Sequence, residues 1–248
     1  MATARTDSPS ARGIRRVGAV LVLLATGQLL AAAVLVAAVA PAWGISTLAV
    51  LFGLSPTLVA AATLHPRAPG PVTTADLLTM LRLLGAGVLA AATVLSLAGG
   101  LSSRSWVLAV LIGAALASDA ADGQVARRTG TAGPIGARID MEADAALVMV
   151  LSVLAASVVG PWVLAIGLMR YAYVAASWVR PALRRPLAYS LLRRAIGALQ
   201  GISLVTAVVP VIPVPVSLAI LALSLGLLVV SFGRDVIRQE REEAADGR

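Results

Sequence analysis

An all-α, polytopic membrane protein with about eight transmembrane helices is the fold class this sequence predicts, and three observations carry that expectation. Hydrophobic residues make up 59% of the 248, and the mean hydropathy is +0.92, far above a soluble domain. Apolar runs of roughly 18 to 24 residues recur along the chain, each long enough to cross a hydrocarbon core as a helix. Short segments rich in Gly, Pro and Arg separate them. The net charge of +8 comes from arginine alone and lies in those short segments, which argues against a nucleic-acid partner. There is no cysteine, so disulfides and thiolate metal sites are excluded.

Residues 1–16 are polar, with Arg5, Arg12, Arg15 and Arg16, and read as a disordered tail. Val17 to Ala40 is the first apolar run. Ala38-Val39-Ala40 resembles a signal-peptide cleavage site, but 24 residues exceed the usual apolar core of such a peptide, so an uncleaved span is expected. Pro41 to Gly44 turns, and Ile45 to Leu64 returns. The stretch from His65 to Pro71 breaks the helix and reads as a linker, closing an accessory unit of two helices over 17–71. Thr73 to Arg82 then leads into a span ending near Ala98, with Thr74 or Asp76 as helix cap. Trp106 to Ser118 follows a loop at 99–105. Gly130, Gly133, Pro134 and Gly136 predict a loop from Arg127 to Arg138. Further spans are expected over Ile139–Val159, Trp162–Val179, Ala195–Val209 and Val214–Phe232, before a charged tail.

Positive charge orients the helices. Of the 20 arginines, 17 lie in the N-terminal tail, the 65–71 linker, the 127–138 loop, the 180–194 loop and the C-terminal tail. All of these fall on one side, so a multi-pass protein of the cell membrane is expected, with both termini in the cytoplasm. Trp43, Trp106 and Trp162 mark the far interface and Trp178 the near one.

Four of the eight aspartates, Asp119, Asp122, Asp140 and Asp144, fall within 26 residues between apolar runs. Carboxylates at membrane depth are costly and by default functional. Asp119 and Asp122 are three apart and Asp140 and Asp144 four apart, so each pair shares a helix face. Such charges need compensation in a low-dielectric cavity, and hard divalent cations suit an all-oxygen donor set. The alternating ligands and distal Glu of a calcium loop are missing.

The order D-x-x-D-G-x-x-A-R, eight residues, G-x-x-x-D-x-x-x-D, carried by Asp119, Asp122, Gly123, Ala126, Arg127, Gly136, Asp140 and Asp144, resembles the signature of the CDP-alcohol phosphotransferases. All eight fixed positions and every gap match. A segment P-N-x-L-T-x-x-R opens that family's catalytic core, and here Leu78, Thr79 and Arg82 match while Asp76 replaces Asn. The resemblance implies a six-helix catalytic core over 72–233, with 234–248 as a charged cytoplasmic tail. It also implies transfer of a substituted phosphate, often phosphatidyl, from a CDP-linked lipid donor such as CDP-diacylglycerol to an alcohol, with release of CMP. Phospholipid biosynthesis and a homodimer complete that implication, while the arginine distribution places the aspartate loop, and so the active site, on the cytoplasmic side.

On this basis Asp119, Asp122 and Asp140 are the expected principal Mg²⁺ ligands, with Mn²⁺ as an alternative ion and two ions expected. Asp144 is expected to touch a second metal or to act as general base on the acceptor hydroxyl. Gly123, Ala126 and Gly136 let a nucleotide approach the backbone, although small residues also favour helix packing. Arg127 is expected on the diphosphate, with Thr79 and Asp76 as further CDP-binding candidates. Arg170, Arg193 and Arg194 suit an acceptor that itself carries phosphate, or serve as anchors at anionic membrane lipid; both readings stay open. Two other classes use intramembrane aspartates. A prenyltransferase holds Mg-diphosphate on two clusters, but those sit on well-separated helices, whereas Asp122 and Asp140 are 18 residues apart. A cation or proton transporter would not need Gly123, Ala126, Arg127 and Gly136 at fixed offsets.

Overall fold

In a computed structural model, the backbone is described for residues 9–64, 74–129, 134–184 and 190–246. Side chains are described over 18–19, 21–58, 83–117, 143–183 and 190–245. The described chain is all-helical: α1 (Pro9–Val39), α2 (Trp43–Leu64), α3 (Thr74–Leu97), α4 (Trp106–Thr129), α5 (Pro134–Val159), α6 (Leu164–Val179), α7 (Leu191–Val208) and α8 (Val214–Asp246). Leu21–Val39, Pro161–Val179, Leu191–Val208 and the α8 segment are long and apolar enough to cross a membrane. Shorter apolar stretches occupy Trp43–Leu58, Leu83–Leu97, Trp106–Ala117 and Ala143–Val159. This is a polytopic membrane protein.

Element ends depart from the sequence expectation in consistent ways. α1 starts at Pro9, inside the polar segment expected to be disordered, and α5 starts at Pro134, inside the expected 127–138 loop. Proline lacks an N–H, but the first turn of a helix has no partner for it, and its fixed φ suits the helix. α4 extends to Thr129, and Gly136 is helical in α5, both inside the stretch expected to be a loop. At the other end of the chain, α8 runs 33 residues, or about 50 Å at 1.5 Å per residue, well beyond a hydrocarbon core of about 30 Å. Gly233 does not stop it, and Arg238 pairs with Glu242 one turn on at 2.8 Å.

Contacts divide the chain into two units, Met1–Leu101 with Val110–Ala146, and Ser102–Ala109 with Leu147–Arg248. In the first, α1, α2 and α3 pack on one another. Ala32, Ala49 and Ala91, whose small side chains let helices approach closely, form a buried cluster with Leu95 among them. Gln28 is buried at their junction, and its Nε2 donates to the Leu83 carbonyl at 2.9 Å. Its Oε1 accepts from the Thr57 hydroxyl. Pro56 interrupts α2 and cannot donate to the Phe52 carbonyl. The Ser55 hydroxyl donates there instead at 2.7 Å, as the hydrocarbon interior requires.

In the second unit, α7 and α8 share a polar seam. The Gln200 amide donates to the Ser224 carbonyl at 3.2 Å, the Ser224 hydroxyl donates to Gln200 Oε1 at 3.0 Å, and Ser203 bonds Ser224. Gly160, at φ 101, ends α5 in a conformation open to glycine, and the Trp162 indole donates to the Val159 carbonyl at 2.9 Å. Arg104 caps the C-terminal end of α7. Its Nη2 donates to the carbonyls of Val209 at 3.1 Å and Pro210 at 3.0 Å, and also to that of Ile212. These carbonyls follow the last helical turn, where a cation also complements the helix dipole.

Candidate active site

The eight-position motif lies on two consecutive helices of the first unit. Asp119, Asp122, Gly123, Ala126 and Arg127 occupy the last turns of α4, and Gly136, Asp140 and Asp144 the first turns of α5. Helical register sets Asp119 and Asp122 about 60° apart around the axis, and Asp140 and Asp144 about 40° apart. Asp76 and Thr79 sit in the first two turns of α3, in the same unit. The side chains of Asp76, Thr79, Asp119, Asp122, Gly123, Ala126, Arg127, Gly136 and Asp140 lie outside the described residues.

Asp144 is described, and it is half-buried. Its neighbours Ala143 and Ala145 are buried, and Ala143 joins Leu24 of α1 and Leu83 of α3 in one cluster. The face of α5 beside Asp144 is thus held by both the first and third helices. α4 approaches α3 in the same unit, where a Cβ on Gly85 would stand 3.7 Å from that of Ala115. Among the described residues, no three acidic or histidine side chains come together. The motif's donor set is carboxylate oxygen throughout, which fits a hard divalent cation rather than a soft one.

The arginines proposed for an acceptor belong to the second unit. Arg170 is half-buried on α6, and Arg194 is exposed on the first turn of α7. Arg193 is engaged by a residue that the sequence did not single out. Its Nε donates to Asp235 Oδ2 at 2.7 Å and its Nη2 to Oδ1 at 2.9 Å, a bidentate pair between α7 and α8. Beside it the Tyr173 hydroxyl donates to Gln239 Oε1 at 2.6 Å, and the Tyr173 ring meets Phe232 edge-on at 5.5 Å. Asp235 lies 42 residues from Arg193, so no local spacing announces the pair. Ser190 caps α7, its hydroxyl accepting from the Arg193 N–H at 3.4 Å.

The family profile described as CDP-alcohol phosphatidyltransferase matches residues 72–230, spanning α3 to α7 and the first half of α8. No curated protein and no solved structure matches the chain.

Proposed function

The chain belongs to the CDP-alcohol phosphatidyltransferase family, and from that premise we propose that it transfers a phosphatidyl group from CDP-diacylglycerol to an acceptor alcohol in phospholipid biosynthesis, with release of CMP. The observation that carries the reading is the complete aspartate signature on α4 and α5, within the matched range. Residues 72–233 form the catalytic core in this reading, and α1 and α2 are an addition to it.

Asp119, Asp122 and Asp140 are the proposed ligands of Mg²⁺, with Asp144 at a second ion or free to act as base. When bound, the metal neutralises diphosphate oxygens and the charge that develops on departing CMP. Arg127 pairs with the same diphosphate, and Gly123, Ala126, Gly136, Thr79 and Asp76 shape the nucleotide site. Asp144 accepts the proton of the acceptor hydroxyl. The acceptor oxygen forms its bond to the phosphorus that carries diacylglycerol, and the diphosphate bond to CMP breaks. Burial among like charges raises a carboxylate's proton affinity toward what a base requires. Arg170, Arg193 and Arg194 are the candidates to recognise an acceptor that carries phosphate.

In this reading each of the eight apolar runs crosses the membrane, so both termini share one side, and arginine density supports placing them and the aspartates in the cytoplasm. A homodimer belongs to this reading through the family alone. The test is CMP release from CDP-diacylglycerol by purified protein in lipid, with Mg²⁺ and a panel of plain and phosphorylated alcohols, the lipid product being identified. Acceptor-dependent release that Asp144→Asn abolishes is the expected result. No release by folded wild-type protein with any of these acceptors would overturn the assignment of donor, and equal release by Asp144→Asn would overturn the role of that residue.

A further inference from the structure

Where α8 leaves its apolar run, the second unit forms a cleft of about 420 Å³ against the start of α7. Four guanidiniums line it, those of Arg193, Arg234, Arg238 and Arg241, against the two carboxylates of Asp235 and Glu242. Both carboxylates are spoken for, Asp235 by Arg193 and Glu242 by Arg238. Arg234 and Arg241 have no ion-pair partner among the described residues, so the cleft carries uncompensated positive charge. Ser190 and the positive end of α7 add to it.

The position of these groups selects the kind of anion. Phe232 is the last residue of the apolar run, and Arg234 and Arg241 follow it by roughly 3 Å and 13 Å along the helix axis. The headgroup layer is about 5–8 Å thick, and long arginine side chains reach across the difference. Ile237, which also lines the cleft, is 54% exposed and offers an apolar wall one turn from both Arg234 and Arg241. Charge at headgroup depth beside an apolar wall matches a molecule with an anionic phosphate above and a glycerol backbone below. A soluble phosphate would use the charge and leave Ile237 without a purpose.

We infer that this cleft is a binding site for the headgroup phosphate of an anionic membrane lipid, held by Arg234 and Arg241. It is built from α7 and α8, neither of which carries the aspartate motif. The test uses full-length protein in nanodiscs of pure phosphatidylcholine or of equal parts phosphatidylcholine and phosphatidylglycerol, and measures phosphatidylglycerol retained on the protein by native mass spectrometry. Wild type retains phosphatidylglycerol in preference to phosphatidylcholine. The pair Arg234→Gln with Arg241→Gln weakens that retention about tenfold. The pair Arg234→Lys with Arg241→Lys, which keeps the charge, restores most of it and shows that the fold survives. Undiminished retention in the glutamine variant overturns the inference. So does displacement of the lipid by inorganic phosphate or glycerol phosphate in solution, which would make the cleft a site for a soluble anion. The readout is binding rather than CMP release, so its failure is separate from any failure of the transferase reading.

Discussion

Gly87 is where the two N-terminal helices are locked to the family-matched region, and Gly87→Ala tests that lock. A Cβ at position 87 of α3 would stand 2.7 Å from Gln28 Nε2 of α1 and press on the Gly53 carbonyl of α2. The glutamine cannot swing aside without giving up its bonds to Leu83 and Thr57, and the carbonyl belongs to helical backbone. Overpacking of this kind costs about 1–3 kcal/mol, and a backbone obstacle puts it toward the upper end. Alanine regains up to about 1 kcal/mol of helix propensity, which leaves a net loss of about 2 kcal/mol. Gly113→Ala on α4 is the control, because nothing lies within 4 Å of a Cβ there and only the propensity gain remains. The two variants should therefore differ by about 2–3 kcal/mol. The assay is reversible unfolding of purified protein in mixed micelles titrated with sodium dodecyl sulfate. Equal stability of the two variants would refute the reasoning, as would a Gly113→Ala protein that unfolds first. Gln28→Ala combined with Gly87→Ala should recover part of the loss, the remainder being the clash with Gly53.

Two more predictions concern the second unit. Arg104→Gln removes three hydrogen bonds at the end of α7. The Arg104 Nη1 is buried with no partner among the described residues, so its desolvation offsets part of the gain, and a loss of about 1–3 kcal/mol is expected in the same unfolding assay. A variant within about 0.5 kcal/mol of wild type would contradict the capping role. Asp235→Asn keeps the shape but not the charge facing Arg193, and the pair is half-buried, so about 1–2 kcal/mol should be lost. Arg193→Gln should cost about as much, and the double variant should cost clearly less than their sum. Simple additivity would mean that the two side chains do not stabilise each other.

The spans, the arginine asymmetry and the aspartate signature are local properties, and each was legible in order along the chain. Apolar run length sets whether a helix can cross, and fixed offsets on a helix set which residues share a face. Element ends were less legible. Pro134 read as a loop residue but opens α5, and α1 opens at Pro9 within the segment read as a disordered tail, because an isolated proline signals its missing donor and not which side of it the helix lies. Gly136 belongs to the glycine-rich stretch that read as a loop, yet it is helical.

By itself the sequence determined that the protein is helical and membrane-embedded, that four of its eight aspartates fall within 119–144, and which family it resembles. Only the tertiary structure decided that Gln28 ties α1 to α3 and that Asp235 holds Arg193. It also decided that Arg104 reaches the carbonyls after α7. Each of these joins residues 42 to 105 positions apart. Such contacts depend on which helix faces meet, and in an apolar environment many faces are equally greasy. Packing of small residues and the demand that every buried polar group find a partner choose among them, and neither is written in the spacing of any one helix.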